Sequence, residues 1–452
     1  MTTIRRVLAF FTFLLFVQED DVTMYRDWLS PFGWANSFFF LKLPQQIRPF
    51  DHILLVCLLL ALGRAEGKGP RVSPMRSALL LSVGTIVMWF ALGLVRGGNF
   101  RWGCWQIYIL LSGALYAFTI AAAFRNPRDY RLLAKVVLAA AAYRGIMCWW
   151  YYFDQVRTKI IPFPEYITNH DDSVLWVVAM LILILRIYRS TRFSERFTST
   201  LFILFLVGAI QFNTRRLAWV ELAMGLVVFV VCLPPGRAKR RVRLALMAAA
   251  PVAGIYLAVG WGRTERIFKP LQAFSTIATK EDESTISRNY ENLGLLTTAK
   301  QNGWLIGTGW GHQYQPVSMK YDLSKWFKIW RYIPHNSILG LLAFTGAVGY
   351  CGYWLMFPTS MFLNARIAKM GRSALARDVG LIGAVQMIVC VNQYFGDMGL
   401  FSYKVVYIMS TSYAIALRMP ILAGVWPVAG AAVARRVEAP EEARAVGDAW
   451  QA

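Results

Sequence analysis

Long, almost uncharged apolar stretches recur along the whole chain, at 5–17, 51–63, 77–96, 104–124, 131–151, 173–188, 198–212, 217–234, 243–261, 336–358, 378–395 and 400–418. A bilayer core of ~30 Å asks for ~20 mostly apolar helical residues, and fewer where a helix is buried among its neighbours. The composition agrees: 57 % of residues are apolar and 16 % charged, against about 45–50 % and 25 % in soluble domains. A disordered chain would carry far less apolar side chain, and a small disulfide-stapled module far more cysteine. The sequence therefore predicts an all-α polytopic integral membrane protein, with about twelve transmembrane helices in one domain over 1–452.

Charge gives the topology. The 48 Lys and Arg exceed the 25 Asp and Glu by 23, an excess that suits nucleic acid, anionic lipid or membrane orientation. The basic residues cluster after every second apolar stretch: Arg64, Lys68, Arg71, Arg76; Arg125, Arg128, Arg131; Arg186, Arg189, Arg192, Arg196; Arg237, Lys239, Arg240, Arg241, Arg243; and Arg366, Lys369, Arg372, Arg377. Nucleic acid would need one contiguous face, so no nucleic-acid partner is expected and the surroundings are membrane lipids. With Arg5 and Arg6 inside, all five clusters fall on the cytoplasmic side by the positive-inside rule, together with the tail at 434–452. The periplasm, or a lumenal equivalent, then receives 18–50, 97–103, 152–172, the turn at 213–216, the loop 262–335 and the turn around Gly396, Asp397 and Gly399.

The first stretch has the length of a signal-peptide core. It is followed by Gln18, Glu19, Asp20 and Asp21 and not by a small-residue cleavage site, so a short true helix is expected. The stretches 32–41 and 419–433 read as interfacial or re-entrant pieces. The loop 262–335 is too small and polar for an independent enzyme domain; one or two short surface helices are expected in it, one carrying Ile286 to Lys300. Cys57, Cys104, Cys148, Cys232, Cys351 and Cys390 show no Cys-x-x-Cys pair and read as small core residues.

Of four histidines, His335 alone sits in a setting that asks for chemistry. It follows Pro334 and opens an apolar helix through Asn336 and Ser337, both good N-caps. The positive end of a helix dipole there favours the neutral, base-competent imidazole and attracts anions, phosphate above all. A histidine that merely caps an interfacial helix is the bland alternative. The arginines tip the balance. Arg215 and Arg216 occupy a turn on the side where topology does not call for them, and Arg288 lies in the large loop on that side. Arg144 is inside a stretch near the same side, and Glu221 is about one and a half turns into the next. A charge within the bilayer costs about 3 kcal/mol unless paired, which makes it a functional or pairing residue by default. Several guanidiniums beside one imidazole suit a diphosphate, because Arg forks match phosphate oxygens bidentately; snorkelling to headgroups is the alternative for any single arginine. Gly307-Thr308-Gly309-Trp310-Gly311 lacks the strand and Lys-Ser/Thr of a nucleotide cradle and reads as a tight turn near the substrate. His170-Asp171-Asp172 reads as a solvated loop, and Asp397 as a counter-ion.

These residues resemble the O-antigen ligase and polymerase superfamily of bacterial inner-membrane glycosyltransferases, mainly over 213–350. His335-Asn336, nine residues, Gly346, two residues, Gly349 is similar to the ligase signature H-[NSQ]-x9-G-x-x-[GTY]. Thr214 to Trp219 before a span, Ser287-Arg288 in the loop and Gly307-Thr308-Gly309 also match. Where the family often has an aromatic four residues after the loop arginine, this chain has Asn292, with Tyr290 nearby. The resemblance implies a GT-C-like membrane fold and an active site facing the periplasm. Its donor would be a glycan on undecaprenyl diphosphate, its acceptor a sugar hydroxyl of lipid A-core. His335 would take or orient the acceptor proton, and Arg215 and Arg288, with Arg216, Arg144 and Glu221 about them, would bind the diphosphate. No metal or other cofactor is expected. Gly346 and Gly349 would permit close helix packing.

Rival readings remain open. A repeat-unit polymerase would use another lipid-linked glycan as acceptor, and a protein O-oligosaccharyltransferase would use a protein. Outside the family, an anionic lipid transporter would want charges near the midplane in two matching halves, and a signalling scaffold would not depend on His335.

Overall fold

The computed structural model describes residues 1–18, 48–63, 73–157, 167–263, 283–322 and 328–426, with a few isolated positions between them. Among these residues every regular element is helical. In chain order they are α1 (Thr2–Val17), α2 (Pro49–Gly63), α3 (Pro74–Val95), α4 (Phe100–Ala123), α5 (Tyr130–Trp150, running on as a π-turn over Tyr151–Val156), α6 (Asp171–Arg189) and α7 (Phe193–Asn213). There follow α8 (Leu217–Cys232), α9 (Arg237–Gly260), α10 (Glu283–Gln301), α11 (Ser337–Trp354), α12 (Met356–Met370), α13 (Ala374–Gly396) and α14 (Tyr403–Leu422). The basic residues at 64–71, most of the 32–41 piece and the tail 434–452 lie outside the described residues.

Each expected apolar stretch contains a helix, and 7 of the helical stretches are long and apolar enough to cross a membrane. The chain is a multi-pass membrane protein. The five expected spans that fall short do so for visible reasons: α1, α2 and α8 have 16, 15 and 16 residues, α6 carries acids at its start and arginines at its end, and α9 opens on a basic run. Side-chain caps start the helices where the sequence offers them, with Ser73, Asn99, Asn336, Ser373 and Ser402 each accepting from a backbone N–H of the first turn.

The core runs along α6 and α14, buried over most of their length. Around them pack α4, α8, α12 and α13, while α10 lies against α11. Outward faces stay apolar, as Leu59, Leu204, Val227 and Phe362 illustrate, which suits hydrocarbon and not water. The bundle has two distinct ends. At one, Arg5 pairs with Asp129 and Arg189 bonds Asp378 at 2.8 Å, so the basic connections gather there. The other ends of α6 and α13, which carry His170 and Asp397, meet the α7–α8 turn and the start of α11.

The expected single helix over 336–358 is broken. Gly346 has φ 60° and ψ −176° inside α11, and the glycine-rich segment inserts its backbone at the break. Gly309 N–H donates to Phe344 O at 2.7 Å, Ala347 N–H to Trp304 O at 2.7 Å and Val348 N–H to Leu305 O at 3.1 Å. Peptide groups freed by the break are thus satisfied, as burial requires. A Cβ on Gly346 would lie 2.4 Å from Ile306 N, and one on Gly307 2.5 Å from Gly346 N. Gly346 is thus where a second segment of backbone enters, while Gly349 packs closely on Trp89.

Candidate active site

His335 is fixed from three directions. Its carbonyl accepts from Ser337 N–H at 3.0 Å and from Met398 N–H at 2.7 Å, the latter delivered by a left-handed turn at Met398, φ 44°. Ser337 Oγ accepts from Leu400 N–H at 3.3 Å, so the α13–α14 turn is docked onto the start of α11. The Trp330 ring stands edge-on to the imidazole, centroids 5.0 Å apart. Glu291, in α10, grips both the ring and the backbone: its Oε2 lies 2.8 Å from Nδ1 and its Oε1 accepts from the His335 N–H at 2.5 Å. A carboxylate only accepts, which assigns the ring proton of the neutral imidazole to Nδ1 and the lone pair to Nε2. Among the described residues Nε2 has no protein partner.

Glu291 is the functional residue that the sequence reading missed. One signal was present: it follows Arg288 by three residues, which on a helix places both on one face. The small cleft behind the pair, lined by Ser287, Tyr290, Glu291, Tyr314, Asp322 and Trp330, has room of about 20 Å³, enough for a water and not a sugar. Its wall is braced by Arg331, which pairs with Asp322 and holds that carboxyl down at about 2.

A second imidazole–carboxylate pair sits close by. His170 Nδ1 contacts Asp397, and His170 Nε2 lies 2.8 Å from Arg215 Nη2. The loop before α6 is held in place by Asn213, whose Oδ1 accepts from Ile167 and Thr168 N–H at 3.1 and 2.8 Å. The expectation of a solvated loop at His170-Asp171-Asp172 is overturned: both aspartates are buried, Asp171 accepting from Ser402 Oγ at 2.5 Å. Burial works against ionisation of Asp397, but His170, His335 and Arg288 outweigh it and hold the carboxyl well below the usual range. Burial also lowers His170, with Asp397 opposing and Arg215 and His335 reinforcing the effect. Asp397 therefore senses His170, His335 and Arg288, so these four groups and Arg215 share one end of the bundle.

The other expected residues have distinct surroundings. Arg216 is exposed and Arg288 half-buried. Arg144 is fully buried and bonded to Asp172, with Nη2 2.6 Å and Nε 3.0 Å from Oδ2, while Lys404 Nζ reaches Asp172 Oδ1 at 2.7 Å. Glu221 is fully buried in the second turn of α8, with neither carboxylate oxygen hydrogen-bonded among the described residues; Asp397 and Asp171 are its electrostatic neighbours. An apolar groove of about 430 Å³, with Trp149, Phe153 and Phe205 in its wall, opens on the flank, next to Phe212, three residues before Arg215. His335 and Arg215 are linked through His170, Asp397 and the turn at Met398.

Residues 201–353 match the family model described as O-antigen ligase. That match agrees with the resemblance carried by Arg215, Arg288 and the His335 signature. The matched segment contains Arg215, Arg216, Glu221, Arg288, Glu291 and His335, whereas His170, Arg144 and Asp397 come from outside it. The match supports an enzyme of the O-antigen ligase or polymerase kind. No curated protein matches the chain.

Proposed function

We propose that this protein is a ligase-type glycosyltransferase that moves a glycan from undecaprenyl diphosphate to a sugar hydroxyl of lipid A-core, at the periplasmic face of the bacterial inner membrane. The observation that carries the reading is the His335–Glu291 pair, with its Nε2 lone pair left open at the bundle end that gathers Arg215 and Arg288. The acceptor hydroxyl gives its proton to Nε2, the imidazolium is stabilised by Glu291, and the hydroxyl oxygen attacks the anomeric carbon. The glycosyl C–O bond breaks with its electron pair going to the diphosphate, whose growing charge Arg215 and Arg288 offset. Arg216, exposed in the same turn, reaches the lipid-side phosphate. Guanidiniums supply here the positive charge that a divalent cation supplies in nucleotide-sugar enzymes, so the reaction runs without metal. Arg144 and Glu221 act on the site from within the bundle, Arg144 by fixing Asp172 beside His170 and Glu221 through its proximity to Asp397.

The test is transfer by purified full-length protein given lipid-linked donor with and without lipid A-core. Product on lipid A-core that disappears in His335→Ala at unchanged expression supports the reading. Elongation of the donor lipid without lipid A-core overturns ligation in favour of polymerisation, and transfer by His335→Ala at the wild-type rate overturns the role of the histidine.

A further inference from the structure

His170 stands where the charges of the site meet, and its bonding fixes its protonation. Arg215 can only donate, so the Nε2 atom 2.8 Å from Nη2 must offer its lone pair. The one ring proton then sits on Nδ1, against Asp397. A neutral imidazole is a weaker partner for a guanidinium than a carboxylate is. It aims Arg215 through a hydrogen bond weaker than the one a carboxylate in its place would make. Arg215 approaches His170 from the α7–α8 turn, Asp397 from the α13–α14 turn and His335 from the start of α11. Arg288 of α10 and Glu221 of α8 act on Asp397, and Asp171 adjoins in sequence.

We infer that His170 is the partner Arg215 gives up when a diphosphate binds, and that the vacated Nε2 then takes up a proton, so that donor binding is coupled to uptake of one proton. The inference rests on Arg215 being a diphosphate ligand. The Arg215 N–H bond to Nε2 breaks and one to a phosphate oxygen forms; a solvent proton bonds to Nε2, and the imidazolium then donates to phosphate through Nε2 and to Asp397 through Nδ1. No bond of the donor is altered, and the proton returns to solvent when the diphosphate leaves. The sign follows from the free state: a ring held below the ordinary imidazole value is unprotonated near neutral pH, while an adjacent anion favours its charged form. Between those two values affinity rises as pH falls, by up to about tenfold per pH unit for one proton.

The experiment is calorimetric titration of the full-length protein in lipid nanodiscs with a short-chain prenyl diphosphate sugar, whose phosphates are already ionised, in buffers of different ionisation enthalpy. Uptake approaching one proton, and affinity that climbs on acidification, support the inference. In His170→Gln the amide oxygen can still accept from Arg215 and cannot be protonated, so the expected result is binding without uptake and with a flat pH dependence. Absence of uptake in the wild type overturns the inference even if the variant does not fold, as does an unchanged slope in His170→Gln. Loss of uptake in His335→Ala with its retention in His170→Gln assigns the proton to the other imidazole and also overturns it. Wild-type affinity in Arg215→Gln would instead remove the diphosphate role of Arg215, a separate failure.

Discussion

Replacing Glu291 by Gln tests the His335 pair most directly, because the amide keeps the shape and an acceptor oxygen but removes the charge. In the proposed transfer the imidazole becomes an imidazolium with the carboxylate Oε2 2.8 Å from Nδ1. Taking the charge centres as about 4 Å apart and an effective dielectric near 20, the interaction is worth about 4 kcal/mol. The carboxylate side chain is 5 % exposed and the imidazole 20 %, so water trims that figure, to about 3–4 kcal/mol. Since about 1.4 kcal/mol is a factor of ten, kcat should fall by roughly 10²–10³. KM for the lipid-linked donor should stay near wild type, because the charge matters only once the proton has moved. Glu291→Asp should recover part of the rate, and Glu291→Ala should lose more, since the His335 N–H then also lacks its acceptor. The assay is gel-resolved transfer of a labelled glycan to lipid A-core at saturating and limiting donor. A kcat within twofold of wild type in a folded Glu291→Gln protein would refute the argument.

Arg288→Lys should lower kcat/KM by about 10–100-fold, because a point charge cannot reproduce a bidentate fork; steady-state transfer against donor concentration checks it. Asp172→Asn removes the buried carboxylate that Arg144 and Lys404 share, which should cost about 3–5 kcal/mol, read as a lowered unfolding midpoint in detergent. Gly346→Ala places a methyl 2.4 Å from Ile306 N at a positive φ, so it should lower that midpoint and speed proteolysis of the 304–311 segment, whereas Gly84→Ala, with open space around it, should do neither.

The helices were legible because hydrocarbon-length apolar runs and basic clusters are local signals: every expected stretch from 5–17 to 400–418 contains a helix. What could not be read was anything decided by a partner far along the chain. The break in α11 depends on backbone from 304–309 entering at Gly346, and a run of apolar residues looks the same with or without such a guest. His170-Asp171-Asp172 looks hydrophilic in isolation; Asn213, Arg144, Lys404, Ser402 and Asp397 are what bury it. His335, Arg215 and Arg288 stood out by type and by lying where topology had no use for them. Glu291 did not, because an acidic residue on a polar helix is unremarkable until the histidine it holds is in place.

The threading of 304–311 into α11 also governs how the molecule comes apart. Since the Trp304 and Leu305 carbonyls accept from Ala347 and Val348 N–H and the Phe344 carbonyl accepts from Gly309 N–H, the stretch beyond α10 is tied to α11 through its backbone. A cut at 306–307 should leave both fragments bonded to α11, and α10, which packs on α11 with Glu291 on it, should lose its order together with that helix. The arm that carries Glu291 should therefore share the durability of α11.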